Sequence, residues 1–254
     1  FSKLLNILGM TAAFAALYII LVQVHYDLTY NRAIPDSERV YLMTLPSYGE
    51  DKLQAFLTRP HAEKLLTNNP YVEMYGVARL DDVNKINVIV GEGTAAKTHS
   101  VTFAQMTSGA LKTFGIQPIM GSLEDMGEGG YVAISETAAE RLGVAVDSVL
   151  QLESWGKTNY FVVRAIYKDL PTASDLQNIE VIRCNQLETQ DLHSANNWSY
   201  NYFVKLRSAD DRVLSEEMIT ATYKELAGED LKRFRGVQYN DTSIYDQLNK
   251  IEAF

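Results

Sequence analysis

Few side chains in this sequence stand at a spacing that can do chemistry. Ser135 is the first to test, because it opens a predicted helix directly after a predicted strand, the placement of a nucleophile elbow. It lacks both glycines of that turn, so a helix-capping role is the stronger reading. Glu136 and Glu140 lie one helical turn apart, as an acid and a base would, but no nearby residue suggests a pocket around them. His25, His61, His99 and His193 are scattered, with no pair at i, i+4, and a single cysteine, Cys184, excludes Cys/His metal spacing. Cys184 ends an apolar strand pattern, where a buried and inert thiol is expected. Gly91, Gly93 and Ala96 imitate G-x-G-x-x-A, yet a strand pattern follows instead of the long helix that a dinucleotide fingerprint needs. There is no P-loop and no G-x-S-x-G. The triplets Asn197-Trp198-Ser199 and Asn240-Asp241-Thr242 match glycosylation sequons, which matter only on a glycosylating secretory route. The sequence therefore predicts no enzyme, no cofactor and no bound metal.

The element that positions everything else has no ionisable group at all. Leu4 to Val24 reads LLNILGMTAAFAALYIILVQV. At about 1.5 Å per residue it makes a helix roughly 30 Å long, enough to cross a bilayer, and lipid offers backbone amides no other partner. Asn6 and Gln23 sit near the ends, within reach of the interface. Gly9 with Ala13, and Ala12 with Ala16, form a small-residue face on which another helix can pack closely. Lys3 precedes the run while His25 and Asp27 follow it, which predicts a cytoplasmic N-terminus and the bulk of the chain outside. A cleavable signal peptide competes, but the run is long for one, and its small residues lie mid-run.

The whole chain has an ordinary globular composition: of 254 residues, 46% are hydrophobic and 22% charged, with a net charge of -9, and because Lys3 is the only charge at or before the run, the remainder carries -10. An acidic domain repels phosphate backbones and anionic lipid, which argues against nucleic acid as a partner. One cysteine allows no internal disulfide, so packing must hold an extracytoplasmic domain together.

Hydrophobic patterning predicts an α+β domain. A first strand runs over Arg39–Leu45, with Val40, Leu42 and Thr44 on one face. Helices follow over Asp51–Leu57 and Pro60–Leu66, then strands over Tyr71–Leu80 and Lys85–Val90 joined by a turn at Asp81–Asn84. Further strands are expected at Ser100–Phe103, Tyr131–Ile134, Val149–Glu153, Tyr160–Tyr167 and Ile179–Arg183. Helices are expected within Phe103–Phe114 and from Ser135 to Gly143. A strand over Tyr200–Leu206 leads to a helix over Asp210–Ala227 carrying Val213, Met218, Ile219, Tyr223 and Leu226 on one face. A short strand at Gly236–Tyr239 and an amphipathic helix over Thr242–Phe254, returning toward Tyr26 and the membrane, close the chain. The expected organisation is a transmembrane helix (1–25), a split βαβ lobe in two halves (26–95 and 196–254), and a strand-rich lobe inserted between them (96–195).

Three stretches carry a resemblance. Tyr26-Asp27 to Tyr30 with Ser37-Glu38-Arg39-Val40-Tyr41, then VAISETAAERLG (Val132–Gly143), then VVRAIYKDLPTAS (Val162–Ser174), are similar in order to motifs of the MacB/FtsX-type ABC transporter permeases. The Phe usual before Gly143 is absent, and Ala165 stands where a Gly is usual. The resemblance implies a porter-like split lobe with an inserted sabre-like lobe, held in the bacterial inner membrane with its bulk periplasmic. It implies three further membrane helices beyond this sequence. Implied partners are a cytoplasmic ABC ATPase subunit that hydrolyses ATP, a second permease copy or sister permease, membrane lipid, and a periplasmic or outer-membrane protein. The implied task is mechanotransmission across the membrane to export or extract a substrate or signal. Two rival readings are an extracytoplasmic ligand-binding domain of a membrane-anchored sensor, and a tethered periplasmic enzyme, which needs converging acidic or histidine side chains.

Overall fold

The computed structural model describes residues 2–46, 53–91, 93–154, 157–194, 197, 199–227 and 235–238. The chain opens with helix α1, Ser2–Thr29. Strands β1 (Val40–Pro46) and β2 (Leu53–Gln54) lead to helix α2 (Arg59–Thr67) and strand β3 (Val72–Val90). Then come β4 (Lys97–Met106), α3 (Ser108–Thr113), β5 (Pro118–Gly121), β6 (Tyr131–Ser135), α4 (Glu136–Leu142), β7 (Val149–Ser154), β8 (Lys157–Tyr167), β9 (Val181–Arg183) and α5 (Asn185–Thr189). Strand β10 (Tyr202–Leu206), helix α6 (Arg212–Ala227) and strand β11 (Arg235–Gln238) complete the described elements.

Helix α1 extends past the apolar run, because its polar end remains helical: the Thr29 hydroxyl donates to the His25 carbonyl at 2.8 Å. Every described side chain from position 2 to 26 is exposed. Among the described residues this is the one helix long and apolar enough to cross a membrane. Its bare surface of Leu, Ile and Phe suits lipid or another apolar face rather than water.

Strands β11, β1, β10 and β3 are neighbours in that order, each pair antiparallel. With α2 and α6 as the crossovers, this is two interlocked split βαβ units. Alternation along the strands sorts side chains to two cores. Val40 and Phe203 face a core shared with Ala110, Leu111 and Phe114 of α3 and its end. Tyr41, Met43, Tyr202, Val204 and Leu206 face another, with Leu65 and Leu66 of α2 and Ile219 of α6.

Strand β3 is common to both parts of the sheet. Its second half pairs with β4 and also with β7. Strand β4 pairs with β9, β9 with β6, β6 with β8, and β8 with β7, which returns to β3. These six strands form a closed circuit with no free edge inside it. Its interior holds Val88, Val101, Val132, Leu150, Phe161 and Val163. Strand β5 adds to the outer side of β8.

The seam between the two parts depends on two glycines. A Cβ on Gly76 would lie 2.0 Å from the Ala110 nitrogen, and one on Gly109 would lie 2.2 Å from the Tyr75 oxygen. Only bare backbone lets α3 sit this close to β3.

Several elements differ from the sequence reading. The predicted turn at Asp81–Asn84 is instead a register shift between Arg79 and Asn84 within one continuous 19-residue strand. Pairing to partners beyond the shift carries the strand through the polar residues. The predicted helix over Asp51–Leu57 is replaced, where described, by β2 and a bridge from Leu57 to Tyr200, because β1 and the residue two before β10 offer backbone partners there. Strand β4 runs on to Met106, so α3 begins later, at Ser108, capped by the Thr107 hydroxyl. On α6 the buried face is Ser215 and Ile219, while Val213 is 52% exposed. Strand β5 and helix α5 have no counterpart in the sequence pattern. The strand expected near Gly236 is present as β11. The Thr242–Phe254 helix lies outside the described residues.

Candidate functional site at the helix–domain junction

Helix α1 passes into the domain through residues 30–39, and that passage is fastened at each step. Asn31 is fully buried with φ 61°, a left-handed conformation that asparagine tolerates. Its N–H donates to the Ala173 carbonyl at 2.8 Å, and its Nδ2 donates to Asp175 Oδ2 at 3.0 Å. Its Oδ1 accepts from the Asp175 N–H at 2.9 Å. The Tyr30 hydroxyl donates to Asp175 Oδ1 at 2.9 Å. Burial, and then the adjacent Asp175 carboxylate, push the Tyr30 hydroxyl up, so it stays protonated and remains a donor.

Three residues further on, Ile34 is buried in the core with Phe114 and Leu176. Asp36 then receives Lys205 Nζ at 2.6 Å and Arg39 Nη2 at 2.8 Å. The Lys205 hydrogen bond and then that of Arg39 hold the Asp36 carboxyl below the ordinary carboxylate range. Arg39 Nη1 also reaches Glu73 at 2.6 Å and the carbonyls of Leu206 and Arg207, each at 3.0 Å. The passage is thereby tied to β3, β10 and the 169–178 loop.

The loop after β8 receives this passage. Ser174 is fully buried, and its hydroxyl donates to the Pro171 carbonyl at 2.7 Å. Upstream, Asp169 accepts from the Thr137 N–H at 3.2 Å and from the Thr137 hydroxyl. These bonds keep the Asp169 carboxyl below its usual range. Downstream, Glu180 accepts from Arg141 Nη2 at 2.5 Å and from the Thr102 N–H at 2.7 Å. The three stretches that carry the resemblance, distant in sequence, meet around this loop.

The side chains whose types could do chemistry cap, pack or lie exposed where the structure describes them. The Ser135 hydroxyl accepts from the Ala138 N–H and caps α4, which Gly143 ends in the left-handed conformation. Glu136 and Glu140 are exposed on that helix. Cys184 is buried, and burial pushes its thiol well up, away from the nucleophilic thiolate. Gly91 and Gly93 turn β3 into β4 rather than opening a long helix. His61 shares a hydrogen bond of 2.9 Å with the Thr58 hydroxyl. Among the described residues no three His, Cys, Asp or Glu side chains gather as a metal site. Asn197 donates to Asp191 at 2.6 Å, and Asn240 lies outside the described residues. A cleft of about 590 Å³ lies beside α4, but its Asp169, Arg141 and Glu180 are already engaged with one another's elements. Gly9, Ala12, Ala13 and Ala16 lie on α1, all exposed, and no atom comes within 4 Å of a Cβ built on Gly9. Asn31, Asp175 and Lys205 escaped the sequence reading. The one local signal was an asparagine directly after the last helical turn.

Comparison with known proteins fits this construction. No curated protein matches the sequence. A domain assigned as part of a permease from Porphyromonas gingivalis superposes with a TM-score of 0.65 at 16% identity, over 81% of this chain and 93% of that one. The extracellular domain of the ABC-type transporter YknZ from Gram-positive bacteria gives 0.51 at 16% identity, over 78% and 98%. The periplasmic region of MacB from Actinobacillus actinomycetemcomitans gives 0.53 at 14% identity, over 83% and 92%. At these identities the likeness is one of fold. The family model described as the MacB-like periplasmic core domain matches residues 4–222, and the chain belongs to that family, the periplasmic domains of ABC transporter permeases.

Proposed function

We propose that this chain is the first membrane helix and periplasmic domain of a MacB/FtsX-type permease subunit, which carries ATP-driven motion across the bacterial inner membrane. The observation that supports this most is the fastened passage from Tyr30 to Arg39. A simple tether needs only a solvated linker, whereas here a buried asparagine, a buried isoleucine and a buried lysine lock the helix exit to the sheet. Displacement of α1 would therefore move the domain instead of being absorbed in slack chain. The chain itself is not an enzyme in this reading. ATP hydrolysis belongs to a separate cytoplasmic ABC ATPase subunit, and the permease pairs with a second copy or a sister subunit. Its motion serves export or extraction of a substrate, or delivery of a signal, to a periplasmic or outer-membrane partner.

The organisation proposed with it is a porter-like lobe from residues 26–95 and 196–254, with a sabre-like lobe from 96–195 between them, into whose strand circuit the second half of β3 reaches. Gly9, Ala12, Ala13 and Ala16 of α1 are the proposed packing face for neighbouring membrane helices. The test is purification of the tagged full-length protein from its own membranes in mild detergent. An ATPase carrying a P-loop should accompany it and hydrolyse ATP, and Gly9→Leu or Ala13→Leu should reduce that association. A full-length protein that carries no such ATPase and continues instead into a signalling segment would overturn the reading.

A further inference from the structure

Residues 169–180 are bound to α4 at both ends and to the exit of α1 in the middle. At the first end, Asp169 accepts from the Thr137 N–H and hydroxyl in the opening turn of α4. At the other, Glu180 pairs with Arg141 near the close of α4 at 2.5 Å and takes the Thr102 N–H of β4 at 2.7 Å. Between them, the Asn31 N–H, the Asn31 side chain and the Tyr30 hydroxyl engage Ala173 and Asp175. Leu176 and Ile179 pin the same segment into the core that holds Ile34, at 1% and 2% exposure. The segment has no regular secondary structure of its own, so its position is set by these bonds, by the packing of Leu176 and Ile179, and by the backbone pairing of Glu180 with Thr102 and Ser135. It also forms one wall of the cleft beside α4, through Asp169, Thr172, Asn178 and Glu180.

We propose that residues 169–180 are a strap that couples helix α1 to helix α4, with Asn31 and Asp175 as the positioning residues at the input and Thr137 and Arg141 as the output. A shift of the helix exit pulls on Ala173 and Asp175. The strap cannot take up that shift without disturbing the Asp169 and Glu180 bonds, and so α4 and the adjacent cleft move with it. By linkage the coupling runs both ways: an agent that moves α4 also biases the helix exit. This rests on the transmission reading above and specifies its route.

The test is amide hydrogen exchange on the full-length permease in lipid nanodiscs, comparing the natural protein with Asn31→Ala and the milder Asp175→Asn. If the strap couples, exchange rises about tenfold at the Thr137 and Thr102 amides, remote from the substitutions, while the Leu150 amide of β7 keeps its protection. Conversely, Asp169→Asn raises exchange at the Asn31 and Asp175 amides. A rise confined to residues 30–34 and 173–176 overturns the proposal, as does a uniform rise that includes Leu150 in both junction variants. Neither result bears on whether an ATPase accompanies the protein, so failure of the strap is distinguishable from failure of the permease reading.

Discussion

The closed strand circuit and the helix–domain junction hold their shape by different means. The circuit is filled by Val88, Val101, Leu150, Phe161 and Val163, and among the described residues the one buried polar side chain on its strands is Ser135. The junction buries Asn31, Ser174 and Lys205 within a short stretch of space and satisfies them with directed bonds. Apolar packing has no preferred direction and contains no group that titrates. Hydrogen bonds and ion pairs fix particular atoms to one another, at the cost of failing when any one partner is lost. A region that must stay intact suits the first, and a region that must pass on a displacement suits the second.

The seam shared by both regions gives the largest expected effect. Gly76→Ala drives a Cβ into the backbone of α3, and we expect a loss of about 3 kcal/mol or more. Urea unfolding should then show both regions failing together. If the loss is under about 1 kcal/mol, the two regions are not packed as one body. Next is Leu150→Ala, which empties a fully buried position in the circuit and should cost about 3 kcal/mol. Its thermal midpoint should fall while amide protection at Asn31 and Asp175 relative to the global value is unchanged.

The smallest effects separate the regions by charge. Asp36 and Asp169 have folded pKa values lowered by their partners. Their contribution is complete above the unfolded carboxylate pKa of about 4 and is lost as pH falls through the lowered folded values. Urea midpoints should drop between pH 5 and pH 3, with exchange rising at Asn31 before Leu150. Lys205→Met removes the first cause of the Asp36 shift and should change stability at neutral pH by no more than about 1 kcal/mol, since Asp36 is 44% exposed. It should also flatten that pH dependence. An unchanged slope in this variant would place the acid sensitivity elsewhere.

What could be read from the sequence follows the range of the forces involved. Helix α4 was legible at both ends because its signals are local: Ser135 caps it and Gly143 stops it. The face of β10 was legible from period-two alternation, with Tyr202, Val204 and Leu206 together in one core. Strand β3 was cut in two because Asp81-Asp82-Val83-Asn84 looks like a turn, and only its partners reveal that pairing resumes beyond it. Strand β5 has just four residues, one of them proline and one glycine, and owes its existence to the β8 edge. The candidate site was legible as a set of motifs but not as a place. Asn31 and Asp175 stand 144 residues apart, and no periodicity links them.

The 19 residues of β3 also impose an order of events on the chain as it is made. Strand β3 is synthesised early, yet Ile89 must wait for Gln151 before the circuit can shut, and Val77 must wait for Tyr202 before the other half of the strand is covered. Pairings this distant in sequence are slow to form. Strand β4 covers one edge of β3 at once, but the other edge stays uncovered until β7 and β10 are made, and an exposed strand edge promotes aggregation. A chain arrested before β10 should therefore aggregate more readily than the complete domain.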